Sequence, residues 1–193
     1  MPRVYVVEDD DEDIQMIKSS FTGCTCRKRE VLWTTSSCGT VFIKKIITKG
    51  IWRIDFIFIS SGSSFEGAIG IASSDYTPSR SSYLGNDWSS VDYHSCGDCY
   101  HSRSTSGNRS WRSGDIVGIE IDMDSRNLYF FLNGVIQQVS YCHIPESVKI
   151  GVCTKYANMG IRIMRFRELD KAERESHASR VKMVNWEHND SSW

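Results

Sequence analysis

The chain has 193 residues, of which 40% are hydrophobic and 24% charged, and its formal net charge is −1. Those values fit one globular domain with a substantial core. A charge near zero argues against general nucleic-acid binding, which needs a basic surface to displace counterions, and removes the simplest attraction to an anionic membrane.

Residues 1–30 open with an acidic run, Glu8 to Asp13, and end in a basic patch, Arg27-Lys28-Arg29. A charged-then-apolar leader pattern is not visible. Val4-Tyr5-Val6-Val7-Glu8-Asp9-Asp10 is similar to the first strand and acidic pocket of a two-component receiver, where clustered carboxylates hold Mg²⁺. Asp55 to Ile59 imitates the next expected strand, but the phosphoacceptor place falls on Ser60 and no suitable Thr/Ser and Lys-Pro pair follows. The better reading of the acidic run is a solvated or partner-binding segment. Seven cysteines, an odd number in a chain that is not small, point to reduced thiols. A soluble, cytoplasmic protein is the expectation.

Residues 31–168 alternate β-branched and aromatic runs with Gly, Ser and Asn. In the segment 52–58, Trp52, Ile54, Phe56 and Phe58 recur with period two while Arg53 and Asp55 face the other way, as on a half-buried strand. Its longest apolar stretch, Ile51 to Ile59, is too short and too interrupted to cross a bilayer as a helix. Val117, Ile119, Ile121 and Met123 repeat the alternation against Glu120 and Asp122. A turn at Asp124 to Asn127 leads to Leu128–Leu132. Asn133-Gly134 then marks a tight hairpin, because both residue types tolerate positive φ. With Val135 to Tyr141 returning, residues 116–141 form a three-stranded meander. Further strands are expected at 41–47, 67–73, 148–154 and 161–166, and Trp52, Ile54, Phe56, Phe130 and Phe166 belong in the core. Many short strands with turns between them indicate a sandwich or barrel. The charged segment 169–193 has no Gly or Pro from Asp170 to Val184; it reads as a solvated tail or a helix.

These residues resemble the SPRY family over roughly 39–167. Ile47-Thr48-Lys49-Gly50-Ile51-Trp52-Arg53-Ile54-Asp55 is similar to an early strand of that family, and Ala68-Ile69-Gly70-Ile71-Ala72 to its Ile-Gly-Val-Ala strand. Tyr83-Leu84-Gly85-Asn86-Asp87, Gly97 and Tyr100-His101 fit its middle stretch. Gly114-Asp115-Ile116-Val117-Gly118 matches its Gly-Asp-x-Ile/Val-Gly motif, and Asp122, Asp124, Leu128, Phe130, Asn133 and Gly134 follow in order. Ile150-Gly151-Val152 and Ile161 to Phe166 resemble the closing strands. The extra N-terminal strands of longer members are not evident in the residues before 39. Gly114–Gly118 also has a purely structural reading, with Asp115 accepting bonds from turn amides.

The resemblance implies an all-β fold, a two-sheet antiparallel β-sandwich of the concanavalin-like jelly-roll kind with short polar N- and C-terminal extensions. It also implies a non-catalytic module, a monomer, that binds a partner protein or short peptide through loops at one end, in the manner of an adaptor or substrate-recognition unit. Carried over position by position, the partner surface comprises Thr34, Thr35, Ser36 and Ser37, then Tyr83 and Leu84, then Lys155, Tyr156 and Ala157. Peptide-binding members often place an aromatic before a small residue in this last loop; here the aromatic is Tyr156 and Lys155 precedes it. A lectin-like small-ligand binder is the alternative, and calcium-dependent sugar binding would require carboxylates clustered on a loop. Cys96-Gly97-Asp98-Cys99 and Cys24-Thr25-Cys26 are weak zinc candidates because of their spacing. No nucleophile elbow, phosphate loop or dinucleotide fingerprint is present. No metal, cofactor, nucleic acid or membrane is expected to bind.

Overall fold

A computed structural model gives the fold and describes residues 15–18, 22–78, 82–176 and 181–187. Two sheets form a sandwich. One sheet runs, edge to edge, β1 (Met16–Lys18), β4 (Gly39–Ile47), β14 (Val148–Thr154), β6 (Ala68–Ser73), β7 (Ser90–His94), β8 (Cys99–His101) and β9 (Arg103–Thr105). The second begins with β16 (Lys182–Asn185), β13 (Val139–Cys142), β11 (Asn127–Leu132) and β10 (Ile116–Asp122). It continues through β5 (Ile51–Ser60), β15 (Met159–Leu169), β3 (Glu30–Trp33) and β2 (Cys24–Arg27), while β12 (Val135–Ile136) pairs with β11. Neighbours are antiparallel except β13 and β16. No helix among the described residues is long and apolar enough to cross a membrane.

The period-two pattern builds the core as expected. Ile54, Phe56 and Phe58 of β5 share the inner face with Val117, Ile119, Ile121, Leu128 and Phe130, all fully buried. Ile69, Ile71, Val91, Tyr93, Ile150 and Val152 meet them from the other sheet. Phe166 is buried with them, but Trp52 is only half-buried. It closes the rim, its ring 5.4 Å from that of Phe166 and under the Lys45 ammonium at 4.9 Å.

Turn chemistry fixes the meander. Asn133 and Gly134 have φ of 50° and 81°, the left-handed values that the hairpin requires. Asp115 accepts from the Arg112 amide and from Asn133 Nδ2, both at 2.9 Å, while Asn133 Oδ1 accepts from the Ile116 amide. The Gly-Asp motif and the Asn-Gly turn are therefore one hydrogen-bonded unit. The returning strand is broken at Gln137, which divides it into β12 and β13.

Three expectations need correction. Strands do precede residue 39: β1, β2 and β3, of three or four residues each, too short to carry a clear periodic signal. The segment after 169 is neither helix nor solvated tail where described. It makes a 3₁₀ turn at Glu173–Ser176 and then adds β16 in parallel to β13, with Trp186 buried. Trp186 stacks on His101 at 4.5 Å, and His101 Nε2 lies 3.1 Å from the Trp186 carbonyl. Finally, β5 is antiparallel to both neighbours. A receiver needs a parallel sheet alternating with helices, so that reading falls; the acidic run 8–13 itself lies outside the described residues.

The outer face of the β5–β10 pair is charged yet buried. Arg53, Asp55, Glu120 and Asp122 are all covered. Arg53 Nε donates to Asp55 Oδ1 at 2.9 Å and its guanidinium lies 3.6 Å over the Phe131 ring. Arg174, carried over this face by the 3₁₀ turn, reaches Glu120 at 3.0 Å and Asp122 at 2.5 Å. The Glu173 amide donates to Glu120 at 2.8 Å, and Arg165 and Arg167 bind the Glu173 carboxylate. Such buried groups must be paired, because stripping their water is costly.

Candidate functional site

The three loops singled out in the sequence meet at one end of the sandwich. Following β3, the 34–37 loop is pinned where the Thr34 and Thr35 amides donate to the Gly23 carbonyl at 2.9 and 3.3 Å. Thr35 and Ser37 bond to each other at 2.7 Å, and Ser36 Oγ accepts from the Ala157 amide at 3.2 Å. The Asn158 amide donates to the Trp33 carbonyl at 2.8 Å, holding the β14–β15 loop against the first one.

Glu66 joins the third segment to these two. It sits in the loop between β5 and β6, fixed where Thr154 Oγ1 donates to its carbonyl at 2.6 Å. Tyr83 Oη donates to Glu66 Oε1 at 3.0 Å, and Lys155 forms an ion pair with Oε2. Burial pushes the Glu66 carboxyl up, but the bonds from Lys155 and Tyr83 outweigh it and hold the group below its ordinary value. The same contact raises Lys155. Cys38 beside them is pushed up to about 11, by burial first and then by the Glu66 charge.

A cleft of about 190 Å³ lies next to this junction, lined by Glu66, Tyr83, Leu84, Asn86, Asp92, His94 and Tyr100. Leu84 is only 1% exposed and packs with Phe42 and Cys153, so it forms the floor and offers no contact surface of its own. Burial drives the Asp92 carboxyl well above the carboxylate range, despite a bond from the Tyr100 amide. Tyr156 is half-buried, its ring packed on the core and 5.6 Å from the Lys155 ammonium. The surface thus offers hydroxyls from the 34–37 loop, aromatic edges, one ammonium and one carboxylate.

Residues 57–149 match the family model of the SPRY domain. The chain carries a SPRY domain. Its fold is similar to the crystal structure of the SPRY domain of human HERC1, with a TM-score of 0.63 and 14% identity over 84% of this chain and 99% of that one. A crystal structure of another human SPRY domain gives 0.64 and 19%, covering 80% of this chain and 99% of that one. No curated protein matches by sequence. SPRY domains are generally non-catalytic modules that bind proteins or peptides.

The hub of this SPRY surface, Glu66, was missed by sequence reasoning. One signal was available: it is the single charged residue in Ser60-Ser61-Gly62-Ser63-Ser64-Phe65-Glu66-Gly67. His94 and Tyr100 were missed as cleft residues because β7 and β8 are short. The cysteine pairs do not converge as drawn for zinc: Cys24 and Cys26 lie on β2, Cys96 and Cys99 around the β7–β8 turn of the opposite sheet. Among the described residues no group of three or more His, Cys, Asp or Glu could hold a metal ion, so the loop carboxylate cluster of a calcium-dependent lectin is not found there.

Proposed function

We propose that this SPRY domain is a non-catalytic interaction module that binds a partner protein or peptide on the surface around Glu66. The contact residues in this reading are Thr34–Ser37, Tyr83, Lys155, Tyr156 and Ala157, with Leu84 supporting them from below. The observation that carries it is the convergence of three loops, far apart in sequence: Glu66 ties Tyr83 to Lys155, and Ser36 ties the first loop to Ala157. Loops on a rigid two-sheet scaffold can vary without unfolding it, and binding residues collect there for that reason. Tyr156 is the best anchor: its ring is held in place by the core, so little rotamer entropy remains to be lost on binding. Seven cysteines held as free thiols support a cytoplasmic setting. The same reading takes the domain to act as a monomer, as an adaptor or substrate-recognition unit.

The test begins with affinity capture and mass spectrometry to obtain a partner, followed by calorimetric titration. Tyr156→Ala should weaken binding by about 2 kcal/mol or more, with circular dichroism unchanged. Lys155→Ala should weaken it less, since an exposed ion pair contributes little. Unaltered affinity in Tyr83→Ala, Lys155→Ala and Tyr156→Ala, all folded, would place the interface elsewhere.

A further inference from the structure

The β7–β8 turn holds a feature that partner binding does not use. Of the seven cysteines, Cys96 alone is exposed. Its Sγ lies 3.1 Å from His94 Nδ1, and its own amide donates to the same nitrogen at 3.2 Å. A nitrogen that accepts an amide N–H carries no proton itself, so the ring proton sits on Nε2. Nε2 faces Glu66 Oε1 at 3.5 Å. The thiol thus lies against an imidazole acceptor, the nucleophile–base pairing that activates a nucleophile, while Glu66, engaged by Tyr83 and Lys155, stands near the far nitrogen without bonding it. The imidazole is fixed between the rings of Tyr83 and Tyr100, with centroids 6.1 and 5.7 Å away.

The other thiols lack this setting. Burial raises Cys99 and Cys153 well above the ordinary thiol value and pushes Cys38 up to about 11; it also raises Cys142. Cys99, the second cysteine of the pair, is buried and accepts from Asn108 Nδ2 at 3.2 Å, so it is not placed to resolve an adduct on Cys96. The charge near Cys96 is unfavourable to anionic reagents: Asp98 follows it by two residues, and the Lys155 ammonium is engaged by Glu66.

We propose that Cys96 is a covalent modification site for uncharged soft electrophiles of the α,β-unsaturated carbonyl class, with His94 as the base. In the step, His94 Nδ1 gives up the Cys96 amide bond and takes the thiol proton, and the Sγ lone pair forms a C–S bond at the β-carbon. The C=C π pair moves onto the α-carbon and carbonyl, and the α-carbon then takes the proton back from His94. No oxidant is needed and no group leaves. The proposal shares Glu66 and Tyr83 with the partner-binding surface, but its test reads thiol labelling and not partner affinity, so each can fail without the other.

The experiment treats the full chain with a limiting amount of N-ethylmaleimide at neutral pH and follows each cysteine by peptide mass spectrometry. Cys96 should be labelled first, at least ten times faster than Cys26, Cys38 or Cys142 and ten times faster than N-acetylcysteine. Unfolding in guanidinium should slow Cys96 while it speeds the buried thiols, an outcome that mere exposure cannot produce. His94→Asn, checked for folding by circular dichroism, should slow Cys96 about tenfold without changing the order of the others. The proposal is overturned if folded Cys96 reacts no faster than N-acetylcysteine, if another cysteine is labelled first, or if folded His94→Asn reacts at the parent rate.

Discussion

Phe130 is fully buried at the centre of the sandwich, its ring 5.4 Å from Tyr93 and 6.4 Å from Tyr141. Tyr93 comes from the opposite sheet, so truncating Phe130 removes contact across the layer and leaves a cavity that a two-sheet core cannot collapse to fill. Phe130→Ala should cost about 3–5 kcal/mol; guanidinium unfolding measures it, and a midpoint at the parent value would refute the packing. Gly118 is demanded by a neighbour and not by its own backbone angle. A Cβ there would sit 2.0 Å from Asp55 Oδ1, the acceptor of the buried Arg53. Gly118→Ala must displace that pair and should cost about 1–3 kcal/mol, read in the same assay. The Gly-Asp-x-Val-Gly motif was legible as a motif, but the reason for its last glycine was not, because Asp55 is brought to it only by the β5–β10 register.

At the scale of elements, the segment after β15 acts as a cover for a charged sheet face. Arg174→Ala would leave Glu120 buried without its cation. Burial already raises the Glu120 carboxyl against the pull of Arg174, so the variant should raise it further and lose about 1–3 kcal/mol, the cost of an unmet buried polar group. Thermal melting measures that loss. The pH dependence has a definite sign. Burial raises Asp122 and Glu173, but Ser125 and Arg174 at the first and Arg167 and Arg165 at the second prevail, holding both below their ordinary 3.8 and 4.5. A depressed folded pKa gives stability above the unfolded value that is lost as pH falls through the folded one. Glu120, raised, opposes this at neutral pH and its cost is relieved on acidification. With two groups against one, the cover should loosen below about pH 4, in the carboxylate range. Hydrogen exchange at the Glu173 amide, which donates to Glu120, should lose protection there after correction for the intrinsic rate. Retained protection down to about pH 2, below the carboxylate range, would show that the ion pairs do not hold the cover.

For the whole molecule, one hydrophobic cluster reaches from Trp33 beside the 34–37 loop to Trp186 of the closing segment. A core shared this widely should melt as a unit. Far-ultraviolet dichroism and tryptophan fluorescence, which samples the buried Trp33, Trp111 and Trp186, should give coincident thermal transitions; separated midpoints would mean that the terminal strands open independently. The sequence alone determined the long central strands, the meander with its Asn133-Gly134 turn, and the inner face of the core, because period-two burial is a local property written into each strand. It also yielded the three loops, through resemblance of ordered motifs. Only the tertiary structure decided that Glu66 ties Tyr83 to Lys155, that Leu84 is a floor, that His94 stands between Cys96 and Glu66, and that residues after 169 cover Glu120 and Asp122. Those contacts join residues from different strands and loops of the sandwich, and period and spacing along one strand carry no record of which face another segment will come to cover.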